Sequence, residues 1–111
     1  MAYDEKLADR IAEQVEDDPR LRRKKMFGGL AFLVDGNMAI AASRDGGVLV
    51  RVDPAESDRL AHATPAEVAI MQGRPMRGWL RVAPEHLRTK RQLAQWVQRG
   101  ITYAGSLPPK K

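Results

Sequence analysis

Two turn signals, one behind the other, constrain this chain more than anything else in it. Residues 30–34 (Leu-Ala-Phe-Leu-Val) are apolar, Asp35-Gly36-Asn37 follows, and residues 38–42 (Met-Ala-Ile-Ala-Ala) are apolar again. Asp-Gly between two strand-like runs is a strong hairpin signal, because both residues tolerate the positive φ that tight hairpin turns require. The pattern then repeats: Ser43-Arg44-Asp45-Gly46-Gly47 leads into Val48-Leu49-Val50-Arg51-Val52. In an extended chain Val48, Val50 and Val52 point to one face, and Leu49 and Arg51 to the other. Met38, Ile40 and Ala42 alternate in the same way. Three consecutive strands joined by two short turns make an antiparallel meander. Residues 24–27 would extend its first strand across Gly28 and Gly29.

The flanks read as helices. Tyr3, Leu7, Ile11 and Val15 recur at four-residue spacing among charged residues, which gives an amphipathic helix. Asp4 and Glu5 fall in its first turn, where the helix dipole favours negative charge, and Pro19 closes it off. After the meander, Asp53 can cap a short helix with Pro54 in its first position; it would run to residue 63. Residues 66–71 fit either a strand or a helix. Gln72-Gly73-Arg74-Pro75 is a turn or an extended crossing, and residues 79–82 read as another strand. Pro84 begins a final helix or helical turn, with Leu93, Trp96, Val97 and Ile101 along one apolar stripe. Gly100 interrupts that helix at a cost of about 1 kcal/mol relative to Ala.

Strands that run together rather than alternating with helices indicate an α+β fold. The expected architecture is an antiparallel sheet built on a three-stranded meander, with flanking N-terminal and C-terminal helices. Leu7, Ile11, Val15, Phe32, Ile40, Val50, Leu93, Trp96 and Val97 are the core candidates. Residues 1–104 would form a single domain, and residues 105–111 a short, frayed basic tail, since Pro108-Pro109 cannot continue a helix. A chain of 111 residues suits one domain with one core.

Composition removes several chemistries. There is no cysteine, so disulfides, thiolate metal sites and cysteine nucleophiles are excluded. No apolar run approaches the roughly 18 residues that a membrane helix needs, and the start of the chain lacks a signal-peptide pattern. A soluble cytoplasmic protein with no membrane contact is the expectation. His62 and His86 have no ligand-spaced partners and read as surface residues. Ser43, Ser57 and Ser106 lie outside any nucleophile elbow. Glu13, Glu16, Asp17 and Asp18 read as the solvated side of the first helix. Gly28-Gly29 runs into an apolar strand, so it is neither a P-loop nor a dinucleotide fingerprint. It reads as a bend, a bulge or a close backbone approach. No catalytic, metal or cofactor-binding residue is assigned, and no cofactor is expected.

The net charge of +5 is unevenly spread. Residues 1–18 carry seven acids and two bases; residues 19–25 carry five bases and no acid; residues 73–111 carry nine bases and one acid. Arg22, Arg23, Lys24 and Lys25, with Arg88, Lys90 and Arg91, are therefore a candidate basic interaction surface, and nucleic acid is a possible partner. Only Tyr3, Trp79 and Tyr103 are left as stacking platforms. Arg74 and Arg77 are candidate contacts for a small anion. Each basic set reads equally as a solvated face.

Met26-Phe27-Gly28-Gly29 leading into Leu30-Ala31-Phe32 and Asp35-Gly36, followed by residues 49–53 (Leu-Val-Arg-Val-Asp), resembles the N-terminal domain of the TfoX/Sxy family. Gly73-Arg74-Pro75-Met76, Trp79, residues 82–85 (Val-Ala-Pro-Glu) and residues 93–97 (Leu-Ala-Gln-Trp-Val) continue the resemblance in order. Phe27, Gly28, Gly29, Gly73, Pro75 and Trp96 are its structural marks. The resemblance implies a small α+β domain. It also implies kinship with regulators of natural competence that act with the transcription machinery. Those regulators carry a second domain that would begin where this chain ends. No catalytic residues are carried over from the resemblance. The leading expectation is a non-enzymatic regulatory or interaction domain that contacts a protein partner. The alternatives are weak nucleic-acid binding through a basic surface and a small-anion-binding or enzymatic domain. A homodimer through an exposed sheet edge or face is also possible.

Overall fold

Asp35 and Gly36 both take positive φ, 50° and 85°, and form the tight turn that their sequence predicts. They join strand β2 (Gly29–Val34) to β3 (Asn37–Ala42), and β4 (Val48–Arg51) follows across the 43–47 turn. This is a computed structural model, and it describes residues 3–26, 28–44 and 46–110. Around the meander lie α1 (Glu5–Val15), β1 (Leu21–Met26), α2 (Ser57–Ala63) after a 3-10 turn at Pro54–Glu56, β5 (Glu67–Met71), β6 (Arg74–Val82), and α3 (Lys90–Ser106) after a 3-10 turn at Pro84–His86. All six strands form one antiparallel sheet in the order β1-β2-β3-β4-β6-β5. The fold is α+β.

Two details differ from the sequence expectation, and two resolve readings that it leaves open. Residues 24–26 do not extend β2 across the glycines. They belong to a separate edge strand that folds back on it, pairing Lys24 with Ala31 and Met26 with Gly29. Residues 66–71 resolve in favour of strand, because β5 pairs with β6. Pro84 begins a helical turn, the 3-10 turn Pro84–His86, and the last α-helix starts at Lys90. Thr89 caps it: the Gln92 amide donates to Thr89 Oγ1 at 3.0 Å, and the Thr89 amide donates to Gln92 Oε1 at 3.0 Å. Finally, residues 105–110 do not fray. Helix α3 continues through Ser106, the Lys110 amide donates to the Asp35 carbonyl at 2.8 Å, and Asn37 Nδ2 donates to the Pro108 carbonyl at 2.9 Å. These bonds tie the C-terminal segment to the β2–β3 turn.

Because the capping box satisfies donors that the helix itself cannot, Thr89→Ala is expected to cost about 0.5–2 kcal/mol. Urea unfolding of the variant beside the wild type measures it. The expected result is a lower midpoint with an unchanged slope.

All nine core candidates are buried. Leu7, Ile11 and Val15 of α1 and Leu93, Trp96 and Val97 of α3 share one cluster with Phe32, Ile40, Val50 and Leu80 of the sheet, and Leu60 of α2 joins it. Each helix thus contributes its buried side chains to the same sheet face. Gly100 is the point of closest approach. A Cβ there would lie 2.4 Å from the Ala39 carbonyl oxygen, so the residue that weakens the helix lets it lie on β3.

Asp18 links α1 to β1. Its carboxylate accepts from the Arg20 amide at 2.9 Å, from Arg20 Nε at 3.0 Å and from Arg20 Nη2 at 2.8 Å. These bonds from Arg20 hold the Asp18 carboxyl below its ordinary range. A depressed folded-state value stabilises the fold above the unfolded value, about 3.9 for Asp. That contribution disappears as the pH falls through the folded value. The stability gap between wild type and Asp18→Asn is therefore expected to be small, since the pair is exposed. It should stay constant from neutral pH to about pH 5 and close below about pH 4. Urea midpoints at several pH values check this.

Candidate functional site

Strand register assigns the residues of the sheet's second face. Lys24, Ala31, Ala41, Leu49 and Arg81 pair in turn across β1, β2, β3, β4 and β6, and Glu67 of β5 ends the row. A second row holds Arg22, Leu33 and Met38, and Arg51 pairs with Trp79 further across. Ala31, Met38 and Ala41 form their own apolar cluster with Met26, Leu33, Leu49 and Trp79, and no helix residue belongs to it. The three helices cover one face, and this face carries a separate apolar patch.

The patch is concave. A groove of about 400 Å³ is lined by Met26 and Gly29 from one edge hairpin, by Met38, Ala41 and Leu49 from the centre, and by Ala69, Ile70 and Met71 from β5. Strands β1 and β5 are opposite edges of the sheet, so the sheet curls until both edges wall one trough. The bend has a local cause. Val68 pairs with Leu80, but Ile70 pairs with Pro75, so one β5 residue faces four of β6. A bulge of this kind bends a strand and re-aims its side chains. Ile70 is 65% exposed and Met71 37%. Ser43, Arg44 and Arg81 complete the lining, so cationic side chains stand beside an apolar floor.

The basic residues singled out in the sequence do not form one surface. Arg22 and Lys24 lie on the open face, and Arg23 and Lys25 alternate to the other side of the edge strand. Arg88 and Lys90 line a cavity with Arg10, Glu13, Gln14 and Glu16. Glu13 and Glu16 also line the cavity that holds Arg22 and Arg23. Carboxylates of α1 therefore stand between the two basic sets. Arg91 is exposed on α3. Arg10 is committed to the loop before α3, with Nη2 donating to the Leu87 carbonyl at 2.8 Å. Arg74 is exposed beside the β5–β6 turn, and Arg77 lies 3.8 Å from Asp58 in an exposed ion pair. Among the described residues, no three of His, Asp and Glu converge as metal ligands would.

Of the motif residues, Trp96 is buried in the helix-side core. Gly28 has a φ of 76°, and a Cβ on Gly29 would lie 2.2 Å from the Ala42 carbonyl oxygen. The glycine pair is thus a turn followed by a close approach of backbones. Gly73 sits with Gln72 in the β5–β6 turn, and Pro75 is the second residue of β6. Phe27 lies outside the described residues.

The family model for the TfoX N-terminal domain matches residues 13–104. The chain belongs to that family. The matched span runs from within α1 into the last turns of α3, so it includes every strand of this TfoX N-terminal domain. No curated protein sequence matches the chain, and no solved structure does. Among the described residues, no helix is long and apolar enough to cross a membrane.

Sequence reasoning missed Met26, Met38, Arg44, Leu49, Ile70 and Met71 as residues of one site. One signal was available. Ile70 and Met71 are large apolar residues directly before a turn, where solvated side chains are the rule.

Proposed function

We propose that this TfoX N-terminal domain is a regulatory interaction domain that contacts a protein partner and catalyses no reaction, in connection with transcription. One observation supports the reading above the others: the sheet face left uncovered by the helices is apolar and concave. Ile70 and Met71 stand exposed beside this concavity, where a partner's apolar side chains would be removed from water. Affinity purification of the tagged full chain from its native cells tests the reading. A specific partner that stays bound through a moderate-salt wash is expected. Repeated recovery of none, together with turnover of a metabolite by the purified chain, overturns it.

Weak nucleic-acid binding is a second reading, favoured by Arg22 and Lys24 lying together on the open face. It requires salt-sensitive binding that falls when Arg22 and Lys24 become Ala. No binding of DNA or RNA at about 50 mM salt excludes it, because low salt favours phosphate contacts most.

A further inference from the structure

We infer that the open-face groove receives an acidic amphipathic helix of a partner protein. Its apolar stripe would lie on Met26, Met38, Leu49, Ile70 and Met71, and its carboxylates would face Lys24 and Arg44. This inference rests on the interaction-domain reading above and specifies its surface and the chemistry of its partner.

Shape and chemistry both select a helix. The trough is walled by the two edges of the sheet and floored by Ala41 and Leu49. A trough whose floor and walls are both apolar suits a cylinder with one apolar stripe, which is the helix-in-groove mode of recognition. Three of the chain's five methionines, Met26, Met38 and Met71, line it. Methionine is unbranched and polarizable, and it adapts to the side chains of a docking helix. Ile70 is the largest exposed apolar contributor and stands on the wall, where it would meet the side of the helix.

Charge selects an acidic partner. Lys24 ends the central apolar row at the β1 edge, and Arg22 ends the next row. Arg44 lines the groove beside the β3–β4 turn and is exposed. Among the described residues, Glu67 is the carboxylate placed in the same row, at the far edge beside Arg81. Electrostatic complementarity of this kind steers association and rejects wrong partners.

The aromatic content argues against nucleic acid here. Single strands bind through aromatic platforms, and this floor is aliphatic. Among the described residues, Trp79 is the aromatic one in the patch, and its ring is already covered by the Arg51 guanidinium, 5.2 Å from the centroid.

The test uses the full chain, labelled with ¹⁵N, and a synthetic helix of about 16 residues, roughly 24 Å long. Leucines form one stripe of the peptide, glutamates flank it, and alanine and glutamine fill the outer side. One control replaces the leucines by serines and a second replaces the glutamates by lysines. Saturable amide shifts are expected at residues 41, 44, 49 and 69–71 with the acidic leucine peptide, and weaker ones with either control. A variant carrying Ile70→Glu and Met71→Glu alters exposed side chains and is expected to fold. It should bind the peptide at least about tenfold more weakly, a loss of about 1.4 kcal/mol. Arg44→Glu should weaken binding in the same direction.

No saturable shift at millimolar peptide overturns the inference, and so does a serine control that binds as tightly. Shifts centred on α1 or α3 overturn it as well. A concentration-dependent dimer that masks these amides favours a second copy, and an oligonucleotide that displaces the peptide favours nucleic acid; either also overturns it. If the double variant still retains a cellular partner in affinity purification, the groove assignment fails while the interaction-domain reading stands. If the wild type retains none, that reading fails with it.

Discussion

Trp96→Ala is expected to lower the unfolding free energy by about 3–5 kcal/mol and the melting temperature by more than about 10 °C. The indole is 4% exposed, on the side of α3 that faces the sheet, in one cluster with Leu93, Val97 and Ile11. The Arg99 guanidinium stacks over its ring, 4.5 Å from the centroid. The loss sits at the high end for a core truncation because the helix cannot settle into the void. Its first turn is fixed by the Thr89 capping box. Beyond its last turn, the chain is tied to the β2–β3 turn through Lys110 and Pro108. A cavity whose walls cannot relax carries its full cost. Domains of this size are stable by about 5–15 kcal/mol in all, so the variant is expected to be partly unfolded well below the wild-type midpoint. Thermal and urea unfolding followed by circular dichroism measure the difference. A loss below about 1 kcal/mol contradicts the packing described.

Gly100→Ala is the second large effect, and its sign is the informative part. At an exposed helix position this change gains about 1 kcal/mol, because Ala is the better helix former. Here the new methyl would lie 2.4 Å from the Ala39 carbonyl oxygen and 3.0 Å from its carbon. Both atoms are backbone, so relief requires α3 to lift from the sheet and loosen its contacts with β3 and β4. Overpacking of this kind costs typically about 1–3 kcal/mol. Net destabilisation is expected. Gly105→Ala provides the contrast on the same helix. The nearest atom to its Cβ would be Arg20 Nη1 at 2.9 Å, the tip of a partly exposed side chain that can shift together with its Asp18 partner, rather than backbone. That variant is expected to be near neutral. Equal effects at the two positions contradict the account of how α3 seats.

The parts of the fold that were legible in the sequence are those where local chemistry and tertiary packing agree. Asp35-Gly36 takes the backbone that its residue types favour. The stripe of Leu7, Ile11 and Val15 is buried as its spacing requires. The edge strand was hidden because an edge strand need not alternate. Residues 22–25 are exposed on both faces, and what makes them a strand is pairing with β2. Exposed like charges there also oppose edge-to-edge pairing with another molecule, which gives the basic run a structural role. The last helix hid its true start because Pro84 suits the first turn of any helix, 3-10 included.

The groove was not legible for a different reason. Both faces of the meander strands are apolar, so alternation at Leu49 and Val50 cannot show which face the helices cover. Met26, Met38 and Met71 come from β1, β3 and β5, and only the curl of the sheet and the bulge opposite Ala69 bring them together. The basic sets misled in the opposite sense. They look continuous in composition, yet Glu13 and Glu16 stand between Arg23 and Arg88 in the fold.

The most direct test of the interaction account is site-specific photo-cross-linking in the native cells. A photoreactive residue replaces Ile70 on the groove wall in one strain and Gln98 on the exposed side of α3 in another. The expected result is an adduct from position 70 to a single partner, mapped to an acidic amphipathic helix, and little or none from position 98. Adducts of equal yield from both positions, or from position 98 alone, would contradict the account.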